Sequence, residues 1–183
     1  MSRRYRPAPH RRAPAMGVVA LLAVFGFASG CGGSTPSAPP SSSPPATPVA
    51  EVRVFFVPRG TDPCGTVAPV VRKVVGPVTA ELALRELLAG PTAAEADAGF
   101  TSIFGPPTAD ALLGVIVVAG IARVSFRDLR HVIPNASSSC GSAALVAALD
   151  ATLAQVPGIS GARYSFAGDE AAFYEWLQMS PPD

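Results

Sequence analysis

Hydrophobic and polar residues recur with the spacings of strands and helices from about residue 51 to residue 178. The run Glu51–Val57 is rich in strand-forming residues and ends at Pro58, so it predicts a β-strand. Val67–Val75 predicts a second strand. Pro69 within it favours an edge position, because proline has no backbone N–H to donate to a neighbouring strand.

The following segment predicts a helix with defined ends. Thr79 is a residue type that caps helices, and leucines follow it at helical spacing. Glu81 and Arg85 lie one turn apart, where opposite charges attract. Gly90 and Pro91 end this helix. The polar stretch 92–110 then predicts a connection with a short helical turn near residues 93–98.

Two apolar runs separated by Ala119-Gly120 predict a β-hairpin. The first run is Leu112–Val118 and the second is Ile121–Phe126. In the second run the residues alternate between two faces. Ala122, Val124 and Phe126 lie on one face, and Arg123 and Ser125 lie on the other.

The last third of the chain predicts a helix, a strand and a short helix. The helix spans about 141–156, begins after the serine run 137–139 as its cap, and buries the stripe Leu145, Leu149 and Leu153. Residues 162–166 alternate as a strand. Asp169 can cap a terminal helix that carries Phe173, Trp176 and Leu177.

The resulting order, β-β-α-β-β-α-β-α, predicts a single α+β domain over residues 51–178, a sandwich with helices packed on one face of a sheet. A tail of residues 179–183 follows it. The length is sufficient for one domain with a hydrophobic core.

The segment before the domain has the pattern of an export signal. Five arginines precede an apolar run from Ala15 to Phe27, and small residues lead to Cys31. The run is shorter than the roughly 20 residues that a membrane-spanning helix needs. We therefore expect residues 1–30 to be a lipoprotein signal peptide and Cys31 to carry a lipid anchor. An uncleaved anchor or an ordinary secreted protein is the alternative.

Residues 31–50 are predicted to link this anchor to the domain. After Cys31 the segment contains six prolines, five serines and no charged residue, so it cannot bury enough apolar surface to fold. We expect the domain to be held outside the cytoplasm on the bacterial cell membrane.

Removal of the leader changes the charge of the chain. Nine of the 14 basic residues and all 13 acidic residues remain, which leaves a formal charge of −4. Since no basic face remains to neutralise phosphates, we expect no nucleic-acid binding.

Cys64 and Cys140 are the two cysteines left after Cys31, an even number in an oxidising compartment, and we predict a disulfide between them. The alternative is a catalytic thiol beside His131, the one histidine of the mature chain. A nucleophilic cysteine needs a base within hydrogen-bond reach, and nothing in the sequence places His131 against either sulfur.

Other catalytic and metal-binding motifs are weak. The chain has no Gly-rich phosphate loop, no paired-cysteine zinc spacing and no serine nucleophile elbow. Asp128 and His131 could supply two ligands, but metal sites normally use three or four. We expect no catalytic residue, no metal and no cofactor.

Two groups of residues are candidates for a binding surface. Aromatic residues near the C-terminus could stack on sugars or anchor a partner, although the same residues could simply form the core face of a helix. The polar loop 127–139 is the second candidate. The residues are Tyr164, Tyr174 and Trp176 in the first group, and Arg127, Arg130 and His131 in the second.

Several stretches in order resemble a GerMN domain, the sporulation and spore germination family found in bacterial envelope lipoproteins. They are Val54–Val57, Leu84–Pro91, Gly99–Ile103, Gly114–Val117, Gly120–Phe126, Leu149–Ile159 and Ala167-Gly168. One departure is Ser125 after Val124, where the family more often has an acidic residue. Any role of that acidic position is therefore not carried over.

The resemblance implies a non-enzymatic module that supports envelope assembly, sporulation or germination through a protein partner or self-association. A peptidoglycan- or solute-binding lipoprotein is the alternative function. A Cys/His hydrolase is a more remote one.

Overall fold

The computed structural model describes residues 48–62, 64–138 and 140–182. The predicted signal peptide, Cys31 and the linker as far as residue 47 lie outside the described residues. Among the residues that the structure describes, no helix combines the length and the hydrophobicity that crossing a bilayer requires.

The described elements are mixed strands and helices, which confirms the predicted α+β class. In chain order they are β1 (Val49–Pro58), β2 (Ala68–Val75), α1 (Ala80–Leu88), α2 (Ala93–Asp97), β3 (Phe100–Thr101), a 3-10 turn (Pro106–Thr108), β4 (Leu112–Val118), β5 (Ile121–Phe126), α3 (Gly141–Leu153), β6 (Gly161–Phe166) and α4 (Glu170–Leu177).

The described strands form two three-stranded sheets, with orders β2-β1-β3 and β4-β5-β6. The sequence had predicted a single sheet. The reason lies at β1. It pairs antiparallel with β2 along eight residues on one side but with β3 only at Val57 and Pro58 on the other. Gln155, just after α3, and Thr152 of α3 occupy the edge of β1 at Arg53 and Phe55, so no further described strand pairs there.

The second sheet begins with the predicted hairpin. β4 and β5 are antiparallel, and β6 joins β5 in parallel after the crossover through α3. Val124 and Phe126 are buried on the inner face while Arg123 is exposed, as the alternation predicted. One continuous core contains residues of both sheets together with α1, α3 and α4.

Local signals predicted two of the helix starts. Thr79 accepts from the Leu82 N–H at the start of α1, and Asp169 accepts from the Ala172 N–H at the start of α4. The predicted serine cap of α3 is wrong. Cys140 occupies the N-cap position without a side-chain bond, because α3 begins only at Gly141, whose N–H is bonded to the Ser138 carbonyl in the turn before the helix.

Arg72 holds the edge strand β2 to the two helices that follow it. Its guanidinium contacts the Glu95 carboxylate at 2.9 and 2.6 Å, the Glu86 carboxylate at 3.1 Å and the Gly90 carbonyl at 2.7 Å. It also lies 5.4 Å from the centre of the Phe56 ring. These contacts are partly buried and engage the whole guanidinium group, so Arg72 is a structural residue.

Candidate functional site

Two concave features of the described residues are a cleft between α3 and α4 and a groove on the outer face of the second sheet. The α3–α4 cleft has a volume of about 440 Å³. Its walls come from α3, the lead-in to β6, β6, α4 and the C-terminal tail. The lining residues are Val146, Asp150, Leu153, Ala154, Ile159, Ser160, Gly161, Ala162, Tyr164, Tyr174, Met179, Ser180 and Pro182.

Asp150 provides the carboxylate of this cleft. Its carboxylate oxygen accepts a hydrogen bond from the Tyr164 hydroxyl. Burial of the carboxyl group beside Tyr164 raises the pKa of Asp150, and the hydrogen bond opposes that rise. Burial and the neighbouring Asp150 charge likewise raise the pKa of Tyr164. Among the described residues, the cleft therefore combines an apolar wall with one carboxylate that is partly desolvated.

Tyr164 and Tyr174 lie in the core, and only their edges reach the cleft. Their exposed fractions are 1% and 4%. Both rings pack on Phe173, each with 5.4 Å between ring centroids. Neither residue forms an exposed aromatic surface of the kind that the sequence suggested. Burial also raises the pKa of Tyr174.

Trp176 and Arg130 meet elsewhere, at the ring of Phe166. The Trp176 and Phe166 ring centroids are 5.1 Å apart, and the Arg130 guanidinium carbon lies 5.9 Å from the Phe166 centroid. The Trp176 indole nitrogen is buried without a hydrogen-bond partner among the described residues. This contact brings one residue of the loop 127–139 to the C-terminal helix.

The other polar residues of that loop have different positions. Arg127 donates to the Pro107 carbonyl, which ties the loop to the 3-10 turn, and His131 is exposed. Asp128 pairs with Arg130, whose side chain and backbone N–H lower the pKa of Asp128 to about 2. The six candidate residues therefore do not form one surface.

Cys64 and Cys140 form a disulfide that joins the β1–β2 connection to the start of α3. Asp62 accepts from the backbone N–H of Cys64 at 2.9 Å. The ligand atoms of Asp62, Cys64 and Cys140 lie within 4.8 Å of one another, a spacing compatible with metal binding. Because both sulfurs are bonded to each other, this group presents no thiolate.

Sequence reasoning missed Asp150. A signal was present, because Asp150 is the one charged residue in the otherwise uncharged sequence of α3. Such a lone carboxylate in an apolar helix faces either solvent or a site. The contribution of Met179 and Pro182 to the cleft had no signal, since it depends on the path of the tail.

Comparison with known proteins identifies the class. Residues 53–171 match the model of the Germane family, which is described as sporulation and spore germination. The match covers more than half of the chain, so the chain belongs to this family and the predicted GerMN resemblance is confirmed. No curated protein matches the chain.

Two solved structures resemble the chain at low sequence identity. The tandem GerMN domains of the sporulation protein GerM from Bacillus subtilis share 14% identity with a TM-score of 0.49 over 70% of this chain. The chain spans 43% of the length of that structure. A predicted lipoprotein from Clostridium perfringens shares 16% identity with a TM-score of 0.40, over 70% of this chain and 82% of that one.

Proposed function

We propose that this protein is a lipid-anchored component of the bacterial cell envelope whose Germane domain binds a partner without catalysing a reaction. Its role would lie in sporulation, germination or a related cell-wall process, in line with the family description. The observation that carries the proposal is the α3–α4 cleft. An open cleft with an apolar wall and one carboxylate suits the insertion of a partner side chain.

The arrangement of the reactive groups supports binding over catalysis. A Cys/His hydrolase requires a thiolate beside a base. Here the disulfide engages both Cys64 and Cys140, and His131 is an exposed loop residue. In the cleft the one carboxylate, Asp150, is hydrogen-bonded to Tyr164. That pair supplies an acceptor for a partner's donor group, and neither member is an activated nucleophile.

The sequence before the domain supports the anchor. The basic and apolar leader, the small residues before Cys31 and the proline-rich segment after it have the order expected of a tethered lipoprotein. Cell fractionation of wild type and Cys31→Ser tests this part. We expect the wild-type protein in the membrane fraction, with an acylated N-terminal cysteine by mass spectrometry. A wild-type protein with an intact, unacylated leader would contradict the anchor.

Partner binding is tested by a variant that fills the cleft. Ala154 is exposed and lines the cleft, whereas Ala171 is exposed on α4 and does not line it. After crosslinking in intact cells, we expect Ala154→Arg to recover less of the partner than wild type, while Ala171→Arg behaves like wild type. Both variants should keep the wild-type melting temperature. Equal recovery of the partner with both variants would show that the cleft does not bind it.

A solute- or peptidoglycan-binding role is the second candidate. The cleft volume of about 440 Å³ lies within the range of roughly 300–1,000 Å³ found for small-molecule sites. Co-sedimentation of the purified protein with cell-wall sacculi separates the two. If the wild-type protein sediments with sacculi and Ala154→Arg does not, the cleft binds peptidoglycan. If the wild-type protein does not sediment with sacculi, a peptidoglycan-binding role is contradicted.

A further inference from the structure

We infer that the outer face of the second sheet is a docking site for an acidic, extended peptide segment of a partner protein, which goes beyond the function proposed for the cleft. The site is the groove on this face, with a volume of about 450 Å³. The residues that carry the inference are Arg123, Arg163, Ser125, Ser165, Ile116 and Gly114, all of which line the groove.

Register places like residues side by side across this groove. Arg123 on β5 is the parallel partner of Arg163 on β6, and Ser125 is the partner of Ser165. Neighbouring strands are about 4.8 Å apart, so the two arginine stems stand next to each other. Like charges in such positions repel. The fold therefore keeps two cations together on an exposed face of a mature chain that carries a net negative charge.

The two arginines differ in how their charge is balanced. Arg163 pairs with the Glu170 carboxylate at 3.0 Å. Arg123 is exposed and has no ion-pair partner among the residues that the structure describes. A guanidinium binds a carboxylate through two parallel hydrogen bonds. Arg123 is thus available to a carboxylate ligand, and the hydroxyl of Ser125 lies on the same face two residues away.

The side of the groove at β4 is apolar and open. β4 is an edge strand of its sheet, and Ile116, the antiparallel partner of Arg123, is 67% exposed. Gly114, the partner of Ser125, has no atom within 4 Å of the position that a Cβ would occupy. An apolar side chain of an extended peptide can therefore lie beside Ile116 while a carboxylate two residues away, on the same face of that peptide, passes over Gly114 to Arg123. A peptide with an apolar and an acidic residue separated by one residue meets this requirement, and the edge strand β4 offers backbone hydrogen-bonding groups to such a peptide.

The test is a titration of the ¹⁵N-labelled protein with acetyl-Leu-Gly-Glu-amide (the Leu-Glu peptide), followed by amide chemical shifts. We expect shifts at Arg123, Ser125, Arg163 and Ser165. The neutral acetyl-Leu-Gly-Gln-amide (the Leu-Gln peptide) should bind about tenfold more weakly, because it cannot form the charge-assisted pair. Acetate at the same concentration should bind more weakly than the Leu-Glu peptide, because it lacks the apolar side chain.

Variants separate the site from general charge effects. Arg123→Gln should weaken Leu-Glu binding about tenfold, whereas Arg53→Gln, an exposed arginine on the first sheet, should leave it unchanged. Gly114→Val should fill the groove and weaken binding without unfolding the domain, since valine suits a strand. These results would be independent of the cleft variant Ala154→Arg, which should bind the peptide like wild type.

Three results would overturn the inference. The first is the absence of shifts on this face with the Leu-Glu peptide. The second is a Leu-Gln peptide or acetate that binds as tightly as the Leu-Glu peptide. Equal binding of the Leu-Gln peptide would show that the charge is not recognised, and equal binding of acetate would show that the apolar contact is not. The third is movement of the same amides on dilution of the protein alone, which would assign the face to a second copy of this chain.

Discussion

The side chain of Gln155 takes the place of a neighbouring strand beside Arg53. Gln155 Oε1 accepts from the Arg53 backbone N–H at 2.7 Å, and Gln155 Nε2 donates to the carbonyl of the same residue. Three residues earlier, in the last turn of α3, Thr152 Oγ1 accepts from the Phe55 N–H at 3.3 Å. The end of α3 and the turn that follows it thereby satisfy the edge of β1 and join the first sheet to the helix that forms one wall of the cleft.

Replacement of Gln155 is expected to destabilise the domain. Gln155→Ala removes two hydrogen bonds from solvent-exposed backbone groups of β1, which should lower the free energy of unfolding by about 1 kcal/mol, because water replaces part of the lost bonding. Urea denaturation of wild type and variant measures this difference in the free energy of unfolding. Glu175→Ala, at an exposed helical position, is the control and should stay within about 0.5 kcal/mol of wild type. Equal effects of the two variants would show that the edge bonds contribute nothing specific.

Glu95 is expected to stabilise the fold at neutral pH and not in acid. Hydrogen bonds from Arg72 lower the pKa of Glu95 below its ordinary value of 4.5. The stabilisation is therefore complete above the ordinary pKa and disappears as the pH falls through the lowered one. The unfolding free energies of wild type and Glu95→Gln should differ most near neutral pH and converge in acid.

Glu81→Gln provides the matched comparison, because the Glu81–Arg85 pair is solvent-exposed on α1. Exposed pairs contribute little, so this variant should remain close to wild type throughout the pH range. A pH-independent difference between wild type and Glu95→Gln would contradict the assigned role of the Arg72–Glu95 pair.

Asp150 is expected to show the opposite pH dependence. Burial raises its folded-state pKa above the ordinary value of 3.8. The contribution of Asp150 to wild-type stability therefore falls as the pH rises from that ordinary value through the raised one. Asp150→Asn keeps an oxygen that accepts from the Tyr164 hydroxyl and removes the carboxylate charge. Relative to wild type, its unfolding free energy should therefore rise between acid and neutral pH.

The urea midpoints of wild type and Asp150→Asn at both pH values provide the measurement. Tyr164→Phe serves as the contrast, since it removes the donor and should destabilise the domain at neutral pH. If Asp150→Asn loses stability relative to wild type on going from acid to neutral pH, the assignment of Asp150 as a partly desolvated carboxylate is wrong. A destabilising charge retained in a cleft is typical of a group kept for binding.

Loss of the disulfide should be costly. The bond joins residues 76 positions apart, and closing a loop of that length is expected to contribute about 4 kcal/mol by restricting the unfolded chain. Thermal unfolding of the Cys64→Ser/Cys140→Ser variant tests the magnitude. Mass spectrometry of the non-reduced protein should recover the two cysteine peptides joined. Two peptides with free thiols would contradict the bond.

Features that depend on neighbouring residues were predictable from the sequence. The caps at Thr79 and Asp169 are local, because the side chain and the N–H that it accepts from are three residues apart. The inner face of β5 was predictable because it is also set locally: Ala122, Val124 and Phe126 alternate along the strand with the exposed Arg123.

Features that depend on distant contacts were not predictable. Gln155 and Arg53 are 102 residues apart, and nothing in the local sequence indicates that α3 covers the edge of β1. The division into two sheets follows from that contact. The cleft likewise depends on where the tail passes, so Asp150 gained its significance only when Tyr164 and Met179 were placed around it.

The most direct test of the central claim is site-specific photo-crosslinking in intact cells. A photoreactive amino acid at position 154 lies in the cleft, and the same amino acid at position 171 lies outside it. We predict a discrete covalent adduct from position 154 in the membrane fraction and none from position 171. Absence of an adduct at 154, or equal labelling from both positions, would contradict a binding role for the cleft.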